Sequence, residues 1–133
     1  STTHNMSYNL LLAQHLGADN YGMKQYVMAF LKAGPNRSQD EETAAKLQTA
    51  HLKNIQRLAA EGKLLLAGPF LDDGNVRGIY IFNVPTLDEA EKLTQTDPAI
   101  QAGSLVMELH LWYGSAALQQ INELHNAIAK DKF

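Results

Sequence analysis

Two residues offer the most direct chemistry in this sequence: His51, in the middle of a long helical stretch, and Asp97, immediately before Pro98. From residue 38 the helical pattern runs to about residue 62, with Leu47, His51, Ile55 and Leu58 recurring at helical spacing. His51 falls inside the arc set by the three aliphatic residues, so its ring points at the core. A polar ring on a buried face must find a partner or lose roughly 1–3 kcal/mol. The natural partner for an imidazole N–H is a carboxylate, and Asp97 is the best placed one. A carboxylate on one ring nitrogen fixes the tautomer and leaves the other nitrogen to take up a proton near neutral pH. Read alone, a single histidine on an apolar helix face is ordinarily a satisfied core residue.

The elements that must position this pair follow from patterning. Residues 1–22 read as an N-terminal extension, in which 8–16 form a short amphipathic helix stopped by Gly17. A first strand covers 24–32, with Tyr26, Met28 and Phe30 alternating against Val27, Ala29 and Leu31, so both its faces are apolar. Gly34-Pro35-Asn36 turns the chain, and Ser38 with Glu41 makes a capping box that opens the long helix. A second strand, 63–70, runs into Gly68-Pro69, and Asp73-Gly74 signals the turn to a third strand, 76–84. The third strand is again apolar on both sides, Ile79 and Ile81 against Tyr80 and Phe82. Thr86 and Glu89 form a second capping box for a helix reaching about residue 96. The fourth strand, 104–113, splits by parity into Leu105, Met107, Leu109 and Leu111 on one side and Val106, Glu108, His110 and Trp112 on the other. Ser115 caps a last helix, 115–130, with Leu118, Ile121, Leu124 and Ile128 on one stripe.

The order βαββαβ predicts an α+β, ferredoxin-like domain: a four-stranded antiparallel sheet with two helices on one face, here with an extra C-terminal helix. That leaves the second sheet face bare, and here it is apolar. An uncovered apolar face of that extent marks an interface. Its simplest occupant is a second copy packed sheet to sheet in a symmetric homodimer.

Several short motifs recur in a fixed order: a helical His51-Leu52, Ala67-Gly68-Pro69, Asp73-Gly74, Glu89-Ala90, Asp97-Pro98 and Gly103 before the last strand. In that order and spacing the chain resembles the YCII-related (YciI-like) family over about residues 23–113, which makes 23–133 one such domain with its C-terminal helix. The resemblance implies a dimeric α/β-barrel with a pocket between helix and sheet, and a His–Asp pair as active site, here His51 and Asp97. Some relatives are dehydrochlorinases acting on chlorinated hydroxyhydroquinones, and muconolactone isomerases share the barrel type. What these reactions have in common is moving a proton beside a carbonyl-like group. The expected function is therefore a cofactor-free lyase or isomerase acting on a small cyclic or phenolic compound. The alternative is a module that binds or senses a small molecule in the same pocket without turnover. Gly68 and Pro69 are expected to shape the pocket wall by letting backbone come close, and Glu108, His110 and Trp112 to contribute to substrate binding. His4, His15 and His125 are expected at the surface.

Composition excludes several other classes. With 133 residues the chain is one domain able to bury a core without staples. A net charge of -3 with scattered basic residues argues against nucleic acid as a partner. The absence of cysteine removes disulfides, thiolate catalysis and thiolate metal sites. No apolar run approaches a membrane span, no metal-ligand spacing is present, and Asp72-Asp73-Gly74 reads first as a turn. Residues 16–24 are similar to the lead-in of a subgroup whose precursors carry an export signal, so a processed periplasmic or secreted chain is expected over a cytoplasmic one.

Overall fold

A computed structural model describes residues 7–132. A short helix α1 (Leu10–Leu16) leads into strand β1 (Met23–Ala33), the long helix α2 (Glu41–Ala60) and the antiparallel strands β2 (Leu64–Pro69) and β3 (Val76–Phe82). Helix α3 (Leu87–Thr94), a single turn α4 (Pro98–Gln101), strand β4 (Leu105–Ser115), a 3₁₀ turn (Ala116–Gln120) and helix α5 (Ile121–Ile128) complete it. The four strands form one sheet in the order β2-β3-β1-β4, every neighbour antiparallel. That order and the βαββαβ sequence of elements make the domain ferredoxin-like, as expected.

Strand parity sorts the sheet into two faces. Val27, Ala29 and Leu31 stand beside Tyr80, Phe82, Met107 and Leu109, and the same face takes Leu58 and Ile55 of α2 and Ala90 and Leu93 of α3. This is the main core. The opposite face carries Tyr26, Met28 and Phe30 beside Ile79, Ile81, Glu108, His110 and Trp112. Leu118 of the 3₁₀ turn covers one end of it, where Tyr26, Leu65 and Ile81 are buried. The remainder lies uncovered within one chain, with Met28, Phe30 and Ile79 half-buried and Val106 exposed.

Three local expectations need correction. The N-cap of α2 is Asp40, whose side chain accepts from the Thr43 N–H at 2.7 Å; the Ser38 hydroxyl instead donates to Asn36. A carboxylate beside the first turn outcompetes the more distant hydroxyl for the free N–H groups. The segment 97–103, left without an element between the expected helix to about 96 and the strand from 104, contains the turn α4. The last helix is interrupted: the Gln119 side chain donates to the Ala116 carbonyl at 3.0 Å, competing for the acceptor that the next α-helical N–H would use, and the first five residues wind as 3₁₀. Its stripe is only partly used, since Leu118 and Ile121 are half-buried while Leu124 and Ile128 are 66% and 81% exposed. By contrast, the cap at Thr86 forms as read, Thr86 accepting from the Glu89 N–H and donating to its carboxylate.

Candidate active site

Helix α2 presents His51 to the helix-covered face of the sheet, and the connection after α3 brings Asp97 to meet it. Asp97 is held there by its own backbone. As N-cap of α4 it accepts the Ala99 N–H through Oδ1 at 2.8 Å, with Pro98 at the first helical position, where no N–H is needed. Gly103 closes the turn with φ of +74°, a region that favours glycine. At Gly34, on the exit from β1, a Cβ would run into the Gly103 carbonyl, so this connection sits directly against the end of the central strand. A further tie runs to α2 itself. The Thr96 hydroxyl, which donates chiefly to the Leu93 carbonyl at 2.7 Å, also lies 3.2 Å from Asn54 Oδ1, and Arg57 donates to that same oxygen at 2.8 Å. Asn54 lies one turn along α2 from His51, so helix and connection are registered at two adjacent points.

The result is a close contact between His51 Nδ1 and Asp97 Oδ2, 2.5 Å. The Asp97 side chain is completely buried and that of His51 is 14% exposed. A carboxylate only accepts, so Nδ1 carries the hydrogen; in the neutral ring Nε2 then holds a free lone pair. Nε2 makes no hydrogen bond among the described residues. Behind the imidazole lies Tyr80 of β3, its ring tilted by only 12° with centroids 6.3 Å apart. Tyr80 is 1% exposed. Burial and then the negative charge of Asp97 push its phenol above the ordinary range, so it stays protonated.

The other expected site residues fall elsewhere. Glu108, His110 and Trp112 line up with Phe30, Met28 and Tyr26 on the face of the sheet turned away from His51 and Asp97. Period-two alternation forces this: a strand cannot offer residues of both parities to one side. On that face Glu108 bridges Lys32 Nζ at 2.6 Å and His110 Nε2 at 2.7 Å. Gly68 and Pro69 are exposed at the end of the edge strand β2, and a Cβ on Gly68 would meet nothing within 4 Å. The close approach at this point belongs to the β2–β3 ladder and demands glycine on the neighbouring strand, since a Cβ on Gly78 would come within 2.6 Å of the Gly68 carbonyl. Through the ladder, Ala67 pairs with Tyr80, which places this edge beside the stacked rings. Asp72 caps its own turn by accepting the Gly74 N–H at 2.9 Å. His15 and His125 are exposed, and His4 lies outside the described residues. Residue patterning gave no warning of Tyr80 or Asn54; their signal is only that a polar atom sits at a core parity.

Fold and contact together define a ferredoxin-like domain with a buried, hydrogen-bonded His–carboxylate pair between helix and sheet. The YCII-related domain pattern matches residues 26–112, about two thirds of the sequence, and the chain belongs to that family. An uncharacterized Bacillus subtilis (strain 168) protein, YjpA, is 32% identical over 62 residues, covering 47% of this chain and 71% of that one. Among solved structures, the 5-chloro-2-hydroxyhydroquinone dehydrochlorinase TftG from Burkholderia phenoliruptrix AC1100, in complex with 2,5-dihydroxybenzoquinone, is 21% identical. That match covers 67% of this chain and 93% of that one, with a TM-score of 0.49.

Proposed function

We propose that the protein is a cofactor-free lyase or isomerase that moves a proton on a small cyclic or phenolic compound. His51 Nε2 is the base and Asp97 the residue that orients it. The observation that carries this reading is the 2.5 Å contact between His51 Nδ1 and a completely buried carboxylate. Such a contact commits Nδ1 to donation and leaves Nε2 as the free basic atom of the ring. In the reaction Nε2 takes a proton from a carbon or hydroxyl next to a carbonyl-like group. The electron pair moves onto the carbonyl oxygen. It then returns either to recapture the proton at another atom or to expel a leaving group such as chloride. Asp97 stabilises the imidazolium formed in between. Gly68 and Pro69 form the strand edge beside the site. The uncovered apolar sheet face is the homodimer interface in this reading.

The test is solvent exchange and turnover. Wild type and His51→Ala are incubated in heavy water with chlorinated hydroxyhydroquinones, hydroxyquinones and unsaturated lactones, and followed by NMR and chloride release. Wild type is expected to incorporate deuterium or release chloride from at least one compound, and His51→Ala from none. Compounds that bind beside His51 and are never exchanged or converted would favour the sensing module instead.

A further inference from the structure

The Tyr80 hydroxyl has no hydrogen-bond partner and is closed off from solvent, among the described residues the one buried side-chain oxygen or nitrogen left in that state. An unsatisfied buried O–H is costly, and native chains keep one only where something else requires it. Phenylalanine would fill the same space without the penalty. The residue is not a remote one: its ring stacks behind His51 and its hydroxyl feels the charge of Asp97. Asp97 accepts from His51 and from the Ala99 N–H, and the Tyr80 hydroxyl donates to neither of its oxygens.

We propose that Tyr80 is the second polar contact of the site: its hydroxyl donates to an anionic oxygen on the molecule whose proton His51 removes. This rests on the proton-transfer reading above. When Nε2 abstracts a proton, the charge it leaves behind collects on an oxygen, and an enolate or phenolate forms. A donor already held dry, and never spent on water, stabilises that oxygen without reorganising at the moment of reaction. Tyr80 lies on the sheet side of the imidazole while Asp97 holds the ring at Nδ1. The three groups therefore divide the work: one orients, one takes the proton, one receives the charge. The ligand class that follows is a ring compound with an ionisable or ionising oxygen near its acidic proton. Neutral hydrocarbon-like rings are excluded.

The experiment uses two probes of one shape, 4-nitrophenol and nitrobenzene, titrated into wild type, Tyr80→Phe and His51→Ala. Absorbance reports the phenolate and calorimetry reports both. Wild type should bind 4-nitrophenol with its ionised form enriched, and Tyr80→Phe should bind the phenolate roughly ten- to a hundredfold more weakly, the size expected for a hydrogen bond to a charged oxygen. Nitrobenzene, lacking that oxygen, should bind both proteins alike. The melting curve of Tyr80→Phe should match or exceed that of wild type, which separates lost contact from lost fold. Equal phenolate affinity in wild type and Tyr80→Phe overturns the inference, as does a wild type that does not bind the phenolate. So does an equal loss for both probes. If the phenolate contrast is found but no compound is ever turned over, the Tyr80 contact stands and the enzyme reading falls; turnover with undiminished phenolate binding in Tyr80→Phe gives the reverse.

Discussion

On the helix side of the sheet, His51 meets Asp97 at 2.5 Å; on the uncovered side, His110 meets Glu108 at 2.7 Å. The residue types match and the distances nearly do. Everything around them differs. Asp97 is completely buried and pinned by its own backbone, whereas the His110 and Glu108 side chains are 51% and 49% exposed. Glu108 is shared with Lys32, whose hydrogen bond, followed by that of His110, holds its carboxyl below the usual range. Water screens an exposed pair of this kind and competes for every donor, so its contribution is small. The contrast teaches that a histidine–carboxylate distance does not make a reactive site. What the buried pair has and the exposed one lacks is a fixed carboxylate and a dry neighbourhood, and on these its proposed reactivity rests.

Substituting each pair in turn is the strongest way to break the comparison. Asp97→Asn keeps the size and an oxygen for the Ala99 N–H, but its amide reverses the hydrogen bond to His51 and puts the ring hydrogen on Nε2. The exchange or turnover rate should fall by about 10²–10⁴-fold, the usual contribution of a general base. Glu108→Gln and His110→Ala should leave that rate unchanged. Equal losses on both faces would erase the distinction drawn here.

A second substitution sharpens what the uncovered face is for. Phe30→Glu places a charge between Ile79 and Glu108, in the middle of the apolar surface proposed to pair with a second copy. Light scattering should show a dimer for wild type and the 14.7 kDa monomer for the variant. A monomeric wild type at micromolar concentration would leave that surface to another partner.

The smallest expected effect concerns Tyr80. Removing an unsatisfied hydroxyl should make Tyr80→Phe more stable, by about 1 kcal/mol in urea denaturation. The pH dependence has a definite sign. A phenol raised above its ordinary value of 10.0 holds its proton more tightly in the folded chain. Its contribution is fully present below that value and is lost as pH climbs above it. Wild type should therefore lose stability faster than Tyr80→Phe above pH 10.0, while Tyr26 and Tyr113, also raised, leave a residual fall in both. A variant that is less stable, or curves that remain parallel, would mean that the hydroxyl is satisfied in solution.

The pair itself was legible because two independent regularities meet at it: helical spacing aims His51 inward, and Asp97 stands just before Pro98, where the preceding helix stops. The four-stranded antiparallel sheet followed from the βαββαβ order of elements, and its two faces from strand parity. The pattern Ser38-x-x-Glu41 misled because a capping box is only four residues long, and it could not reveal that Asp40 lay nearer to the Thr43 N–H. Glu108, His110 and Trp112 were read as sharing one face, and they do; that this face is the one turned away from His51 and Asp97 was not legible, since parity says which residues share a side and not what lies above it. Tyr80 was read as apolar bulk. Whether a buried hydroxyl finds a partner depends on atoms from other elements, here Asp97 and His51, and local sequence cannot supply that.

One consequence of the cap at α4 concerns how such a chain can drift. Asp97 serves folding and, in the proposed reaction, chemistry with the same carboxylate, one oxygen for each. A glutamate would keep the charge but carry it one methylene too far from its own helix turn. A descendant that had lost its activity would still need a capping side chain at 97, though asparagine or serine would do. Position 51 is tied to the fold through the same carboxylate, because a leucine there would leave the completely buried Asp97 charge without its partner. The two positions should therefore drift together, a neutral cap arriving at 97 as the histidine goes.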